Sequence, residues 1–134
     1  MNTGHANLTS LVNTTPHPIT IRRADGSAIC VPPSDKYLLL MTEETHEIAN
    51  IDGVPVYSAP QFMSIYNARG PEMPSDCDIL VSMPVGNFVA QYPDADEFKT
   101  LTVYGPDTNK HAIRDGGKII GTCALICYKE MCVP

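Results

Sequence analysis

The segment LVNTTPHPITI, residues 11–21, places a rigid polar corner between two short apolar runs. The corner holds an amide, two hydroxyls and an imidazole within the five residues from Asn13 to His17. A residue that precedes proline is displaced from the helical region, so Thr15 and His17, each followed by proline, are predicted to be extended. The segment therefore predicts two strands joined by a fixed turn.

A hairpin is predicted directly after this corner, at residues 17–31. Ile19 and Ile21 alternate with polar residues, which is the pattern of a half-buried strand. The Asp25-Gly26 pair marks the turn, and an apolar strand returns to Val31. A continuous apolar run at 37–41 then predicts a buried strand.

The middle of the chain predicts further strands and one helix. Asp52-Gly53 is a turn signal. The acidic segment 42–50 before it predicts a short helical turn or an edge strand, of which we favour the strand. The segment 54–57 after it predicts a strand, which its proline demotes to an edge or terminal strand. The segment 59–69 stays ambiguous, because its apolar residues match a helical face while several of them form helices weakly. Asp78–Met83 has the pattern of a central strand, and residues 84–92, opened by proline, predict a short helix.

The C-terminal region predicts a second hairpin, at residues 111–128, around the turn Arg114–Gly117. Its return arm is apolar on both faces and is predicted to be central. The twelve prolines argue against long helices. We therefore expect a β-rich α+β fold of about seven to nine short strands, with residues 1–9 as a loose N-terminal arm and 10–134 as one globular domain.

Charge and cysteine content restrict the classes of function. The net charge is −6 and Arg22-Arg23 is the one adjacent basic pair, which disfavours a nucleic acid polymer as partner. The first ten residues lack the parts of a secretory signal, and no apolar run approaches the roughly 18–20 residues that span a bilayer. The five cysteines are odd in number and predict reduced thiols, packed as small core residues in a cytoplasmic protein.

Four separated motifs resemble those of a family of small phage and prophage proteins. Residues 11–19 are similar to its N-L-T-P-H-x-I opening, residues 52–56 to its G-I-P-V segment and residues 78–82 to its Y-I-V-S segment. Residues 113–121 are similar to its V-R-D-x-x-G-x-I-x-G hairpin. The resemblance implies a bacteriophage-type origin and a setting in the host cytosol. It supplies no catalytic residues.

The corner is also the candidate binding site. His17, fixed between two prolines, is suited to a preorganised contact, but it equally suits a turn whose ring bonds a carbonyl. Asn13, Thr14 and Thr15 have the same two interpretations. Ser82 follows the central strand at the start of the predicted helix, where sites in α/β folds often lie.

Two arginines complete the candidate site. Arg69 and Arg114 lie in glycine-containing loops that can hold an anion. No metal site is expected, because the histidines are scattered and no Cys-x-x-Cys pair occurs. No cofactor is expected either.

These features predict a non-catalytic binding protein of phage type. Its expected partner is a host protein or a small anionic, nucleotide-like signalling molecule, and either would allow it to counteract host defence. One alternative is a small hydrolase or transferase that uses His17 with Ser82 or a cysteine. A second is a virion or assembly component, and unpaired strand edges also favour a homo-oligomer.

Overall fold

The computed structural model describes residues 7–131, which form a β-rich α+β domain. The α-helix, α1, spans Met83–Gln91, and short 3-10 helices span Leu8–Ser10 and Asp96–Phe98. The strands are β1 (Val12–Asn13), β2 (Ile19–Arg22), β3 (Ala28–Val31), β4 (Leu39–Glu44), β5 (Glu47–Ile51), β6 (Val54–Tyr57), β7 (Gln61–Asn67), β8 (Cys77–Leu80), β9 (Leu101–Pro106), β10 (Ala112–Asp115), β11 (Lys118–Thr122) and β12 (Leu125–Lys129).

The fold class is confirmed, with a single short α-helix at the predicted position. The described residues hold twelve strands, more than the seven to nine expected. Of the predicted loose N-terminal arm, Leu8–Ser10 forms a 3-10 helix. Residues 1–6 lie outside the described part of the chain, so the prediction for them stays open.

The strands form two four-stranded sheets and two two-stranded ribbons. The first sheet has the order β1-β8-β9-β12, in which β1, β8 and β9 are parallel and β12 is antiparallel. The second sheet has the order β10-β11-β2-β3. Because β1, β8 and β9 run in the same direction, their carboxyl ends lie along one edge of the first sheet.

Strand β8 lies between the two parts of the core. Ile79 and Val81 pack on one side with the helix residues Val85 and Val89. Leu80 points the other way, into a cluster with Leu11, Ile21 and Val31. A strand that is buried on both faces has a continuous apolar sequence, so the predicted central strand is confirmed.

Two sequence-based expectations need correction. The ambiguous segment 59–69 contains strand β7, which pairs with β4 and buries only Ile65. The predicted hairpin 111–128 is shorter, because only β10 and β11 form it, and β12 crosses to pair with β9 in the first sheet. The return arm is also not buried on both faces, because Ile119, Ile120 and Ile126 are exposed.

The chain from β4 to β7 folds back on itself as a long hairpin. β4 pairs with β7 at its base, and β5 pairs with β6 at its tip. Thr45 donates from its hydroxyl to the main-chain oxygen of Ser58 and links the two parts. We call residues 47–57 the β5–β6 ribbon. Every residue of β5 is exposed.

The ring of Tyr128 joins β12 to α1 and β9. It lies against Gly86 in the helix and Gly105 in the strand. A β-carbon on Gly86 would overlap the ring, and one on Gly105 would lie 2.7 Å from Cε2 of Tyr128. The two glycines therefore provide the space that the tyrosine ring occupies.

We predict that Gly86→Ala destabilises the protein by about 1–2 kcal/mol, because overpacking outweighs the gain of about 1 kcal/mol in helix propensity. Urea denaturation measures the change. In a Tyr128→Val background, which lacks the ring, Gly86→Ala should instead raise the free energy of unfolding. The control is Gly70→Ala, which has no neighbour within 4 Å and should change stability little. A stabilised Gly86→Ala protein with Tyr128 intact would contradict the packing described here.

Candidate functional site

The Asn13 side chain uses all of its hydrogen-bonding capacity within the fold. Its amide nitrogen donates to the main-chain oxygens of His17 at 2.8 Å and Val31 at 3.0 Å. Its Oδ1 accepts from the main-chain N–H of Thr15 at 2.9 Å and from the Thr15 hydroxyl at 2.7 Å. Asn13 is only 1% exposed. Its side chain therefore has no polar atom left for a ligand.

The neighbouring threonines are also committed to the main chain. The Thr14 hydroxyl donates to the oxygen of Leu80 at 2.7 Å, next to the β1–β8 pairing. The Thr15 hydroxyl also lies 3.0 Å from the oxygen of His17. Both residues are buried. For Asn13, Thr14 and Thr15 the geometry favours the structural interpretation.

His17 is placed differently from the rest of the corner. The residue is exposed, and within residues 7–131 its ring makes no hydrogen bond. Its main-chain oxygen, not its imidazole, holds the turn. The ring does not lock the corner, and no hydrogen bond within the described chain joins it to Ser82 or to a cysteine.

The other predicted site residues are spread over the surface. Ser82 is the N-cap residue of α1, and its hydroxyl makes no capping hydrogen bond. Arg114 is exposed at the β10–β11 turn, with Nη1 3.4 Å from the oxygen of Gly117. Arg69 lines a separate surface depression with Lys36 and Glu72. Ser82 follows Leu80, which pairs with Asn13, so Ser82 lies near the corner at the carboxyl edge of the first sheet. Arg69 follows Ala68, whose N–H donates to the oxygen of Leu38, next to the residue that donates to Thr14.

Sequence analysis missed a pair of titratable residues at the same edge. Nδ1 of His111 lies 2.8 Å from Oδ2 of Asp107. Both residues lie in the loop after β9, and Asp107 borders a cleft of about 520 Å³, which we call the edge cleft. Asp107, Lys110 and Tyr128 contribute polar groups to its lining. The signal available in the sequence is an aspartate and a histidine four residues apart, directly after the Gly105-Pro106 pair.

The loop is held by the buried residue Thr122. Its hydroxyl lies 2.7 Å from the oxygen of Asp107 and 2.9 Å from that of Ala124. The N–H of Cys123 donates to the oxygen of His111 at 3.0 Å. These bonds fix both ends of the loop and so fix the orientation of the Asp107–His111 pair.

Electrostatics at the edge cleft follow from these contacts. The hydrogen bond from His111, with a second from the N–H of Asn109, lowers the pKa of Asp107. Burial, and then the nearby Asp107 carboxylate, raises the pKa of Tyr128, so its phenol keeps its proton. A carboxylate that orients an imidazole is an arrangement used in acid–base chemistry. Within residues 7–131 no serine or cysteine side chain is hydrogen-bonded to that ring, so the pair lacks an assembled nucleophile.

The expectation that the cysteines pack as small core residues is wrong for three of the four described ones. Cys30, Cys123 and Cys127 are exposed and are not core residues, whereas Cys77 is partly buried. Cys30 alternates with buried Val31 on a strand at the edge of the second sheet, which turns its side chain outward. Burial raises the pKa of the Cys77 and Cys127 thiols, which opposes formation of a thiolate. Cys132 lies outside the described residues.

A second, more apolar surface lies between β7 and the helix. Two adjoining depressions of about 560 and 510 Å³ meet at Phe62 and Phe88. The Phe88 and Tyr92 ring centroids are 4.9 Å apart. We call this surface the α1–β7 groove. Its main lining residues are Phe62, Met63, Met83, Phe88, Tyr92 and Glu97.

Residues 7–131 contain neither a metal-binding cluster nor a membrane-spanning helix. No group of three or more His, Cys, Asp or Glu side chains there is placed to hold a metal ion. The α-helix in this part of the chain has nine residues, and no helix in it has the length and apolar character needed to cross a bilayer.

We predict that Asn13→Ala lowers the free energy of unfolding by about 3 kcal/mol, because each buried group left unpaired costs roughly 1–3 kcal/mol. Chemical denaturation measures the loss. Asn87→Ala, at an exposed helix position, and His17→Ala should each change stability by less than about 0.5 kcal/mol. A similar effect of all three substitutions would contradict the structural role of the Asn13 amide.

Asp107→Asn should lower the free energy of unfolding at neutral pH. The difference in this free energy from the wild type should shrink as the pH falls below 3.8, the ordinary pKa of an aspartate carboxyl. The folded pKa is depressed, so the unfolded chain binds more protons in that range and the stabilisation is lost on acidification. Thermal unfolding between pH 7 and pH 3 measures the difference. Asp94→Asn, an exposed carboxyl without a hydrogen bond in the described residues, is the control. A pH-independent difference would show that charge is not involved.

Comparison with protein-family models, with curated proteins and with solved structures finds no match to this chain.

Proposed function

We propose that this protein is a non-catalytic binding protein of phage type that occupies the surface of a host protein in the host cytosol and so counteracts host defence. The observation that carries this proposal is the solvent-exposed α1–β7 groove. Phe62, Met63, Met83 and Tyr92 expose 46%, 55%, 58% and 54% of their surface there. Contiguous exposed apolar side chains are typical of protein interaction sites.

The composition of the groove suits a protein segment. Aromatic side chains provide most of the binding energy in protein interfaces, and methionine adapts its shape to a partner. Glu97 lies in the lining, and the exposed Asp94 follows the helix nearby. We therefore infer that the partner presents apolar anchors beside lysine or arginine.

A small anionic ligand receives less support from the geometry. The amide and hydroxyls of Asn13, Thr14 and Thr15 are bonded to the main chain or to one another. Arg69 lies in the loop after β7 and Arg114 lies on β10, and no hydrogen bond within the described residues joins either side chain to the corner. An exposed arginine can still attract an anion, so release of a nucleotide-like molecule on denaturation is the outcome that would favour this alternative.

The remaining alternatives have their own requirements. A hydrolase or transferase at the predicted residues requires His17 to contact Ser82 or a cysteine, and the described residues show no such hydrogen bond. A virion component requires the protein to be present in purified particles at high copy. Neither requirement involves the α1–β7 groove, so both can be tested separately.

The test places a photo-crosslinking amino acid at Tyr92, in the groove, and compares it with the same group at Tyr66. Tyr66 is an exposed aromatic residue of β7 that does not line the groove. We expect one host protein to be crosslinked from position 92 only. That protein, purified, should bind the intact chain in calorimetry with a defined stoichiometry.

The double variant Phe62→Ser/Tyr92→Ser should weaken this binding by at least about 30-fold, because loss of a central aromatic anchor costs about 2 kcal/mol or more. The matched control is Tyr66→Ser, which should bind as the wild type does. Equal binding by the two variants, or crosslinking from both positions alike, would overturn the assignment of the groove. Circular dichroism of both variants shows whether they remain folded.

A further inference from the structure

The β5–β6 ribbon exposes apolar side chains that no part of the described chain covers. Ile48, Ile51, Val54 and Tyr57 are 61%, 64%, 61% and 57% exposed. A two-stranded ribbon alone is only marginally stable in water, and this one packs neither strand into a core. Its sequence and its position both indicate a surface that is covered in an assembly.

The ribbon and the strands that lead to it are acidic. Residues 39–67 contain Glu43, Glu44, Glu47 and Asp52 and no lysine or arginine. None of these four carboxylates forms an ion pair within the described residues. The surface that covers the ribbon is therefore expected to be basic as well as partly apolar.

The second sheet of the same chain has these properties. Ile119 on β11 is 40% exposed, and Arg114 on β10 lies directly opposite it in the strand pairing. Neighbouring strand residues face opposite sides of a sheet, so Arg22, which follows buried Ile21 on β2, is exposed on the same side as Ile119. Within residues 7–131 neither arginine has an ion-pair partner.

We propose that the protein self-associates, with the β5–β6 ribbon of one copy bound on the second sheet of another copy. The apolar side chains of the ribbon meet Ile119, and the ribbon carboxylates meet Arg22 and Arg114 on the same face of the sheet. The two surfaces are at different places on the chain, so each copy both donates a ribbon and receives one. A two-fold dimer with two such contacts satisfies both surfaces.

This proposal is independent of the α1–β7 groove and of any host partner. Complementary charges with apolar centres predict an association that weakens as salt screens the charges. Light scattering after size exclusion, on the wild-type full chain over a range of concentrations and salt, should show a dimer that dissociates on dilution and dissociates more at high salt.

The decisive experiment reverses the charge of each surface in turn. Glu44→Lys/Glu47→Lys alters the ribbon, and Arg22→Glu/Arg114→Glu alters the sheet. Each variant alone should be monomeric at concentrations at which the wild type is a dimer. Its dimer dissociation constant should be at least about tenfold larger than that of the wild type. An equimolar mixture should form a dimer again, because the altered ribbon then faces the altered sheet and the two unaltered surfaces still match.

The control for net charge is Asp94→Lys/Glu130→Lys, which makes the same change of net charge as the ribbon variant at exposed positions outside both surfaces and should leave the dimer intact. A wild-type protein that is monomeric at every concentration and at low salt would overturn the proposal. Failure of the mixed variants to associate, while each remains folded by circular dichroism, would overturn the pairing of these two surfaces. Loss of the dimer in the control would assign the effect to net charge alone.

Discussion

The Asn13 amide is the contact on which the relation between the two sheets depends. Asn13 belongs to β1 of the first sheet, and its side chain donates to Val31, the last residue of β3 in the second sheet. The same amide closes the turn at His17, two residues before β2 begins at Ile19. A buried polar group of this kind is stabilising only when every partner is present, so the sequence of the corner is restricted by the fold. Thr14 and Thr15 extend the same network.

The network explains why a polar, proline-rich corner resembles a binding site in the sequence. Hydrogen-bonding side chains held in a rigid turn serve a ligand or the main chain equally well. The deciding fact is non-local, because the partner atoms of Asn13 and Thr14 lie at residues 31 and 80. No local pattern contains that information. The fold therefore buries the amide and hydroxyls of Asn13, Thr14 and Thr15 and leaves His17 of the corner exposed.

Much of the architecture could be predicted, and the exceptions have physical reasons. The uninterrupted apolar run of β8 and the proline-led helix after it depend on local chemistry alone. β7 was ambiguous because Phe62, Ile65 and Tyr66 match a helical spacing, whereas β4 supplies its hydrogen bonds from a distance. The division of β11 from β12 depends on Thr122, whose hydroxyl contacts Asp107 and Ala124. The Asp107–His111 pair could be predicted from its spacing in the sequence. The α1–β7 groove could not, because it forms only when β7 packs beside α1.

The distribution of exposed apolar residues argues for two separate interaction surfaces. One surface surrounds Phe88 and Tyr92 at the base of the long hairpin, and the other covers its tip at Ile48 and Ile51. A small domain gains nothing in its own stability by exposing such side chains, and it gains a tendency to aggregate unless they are covered. The unpaired carboxylates around the ribbon set the sign of charge that the covering surface must have. Because the chain also carries a basic sheet, the sheet of one copy can cover the ribbon of a second copy. The groove at the base of the hairpin then remains available for a different protein.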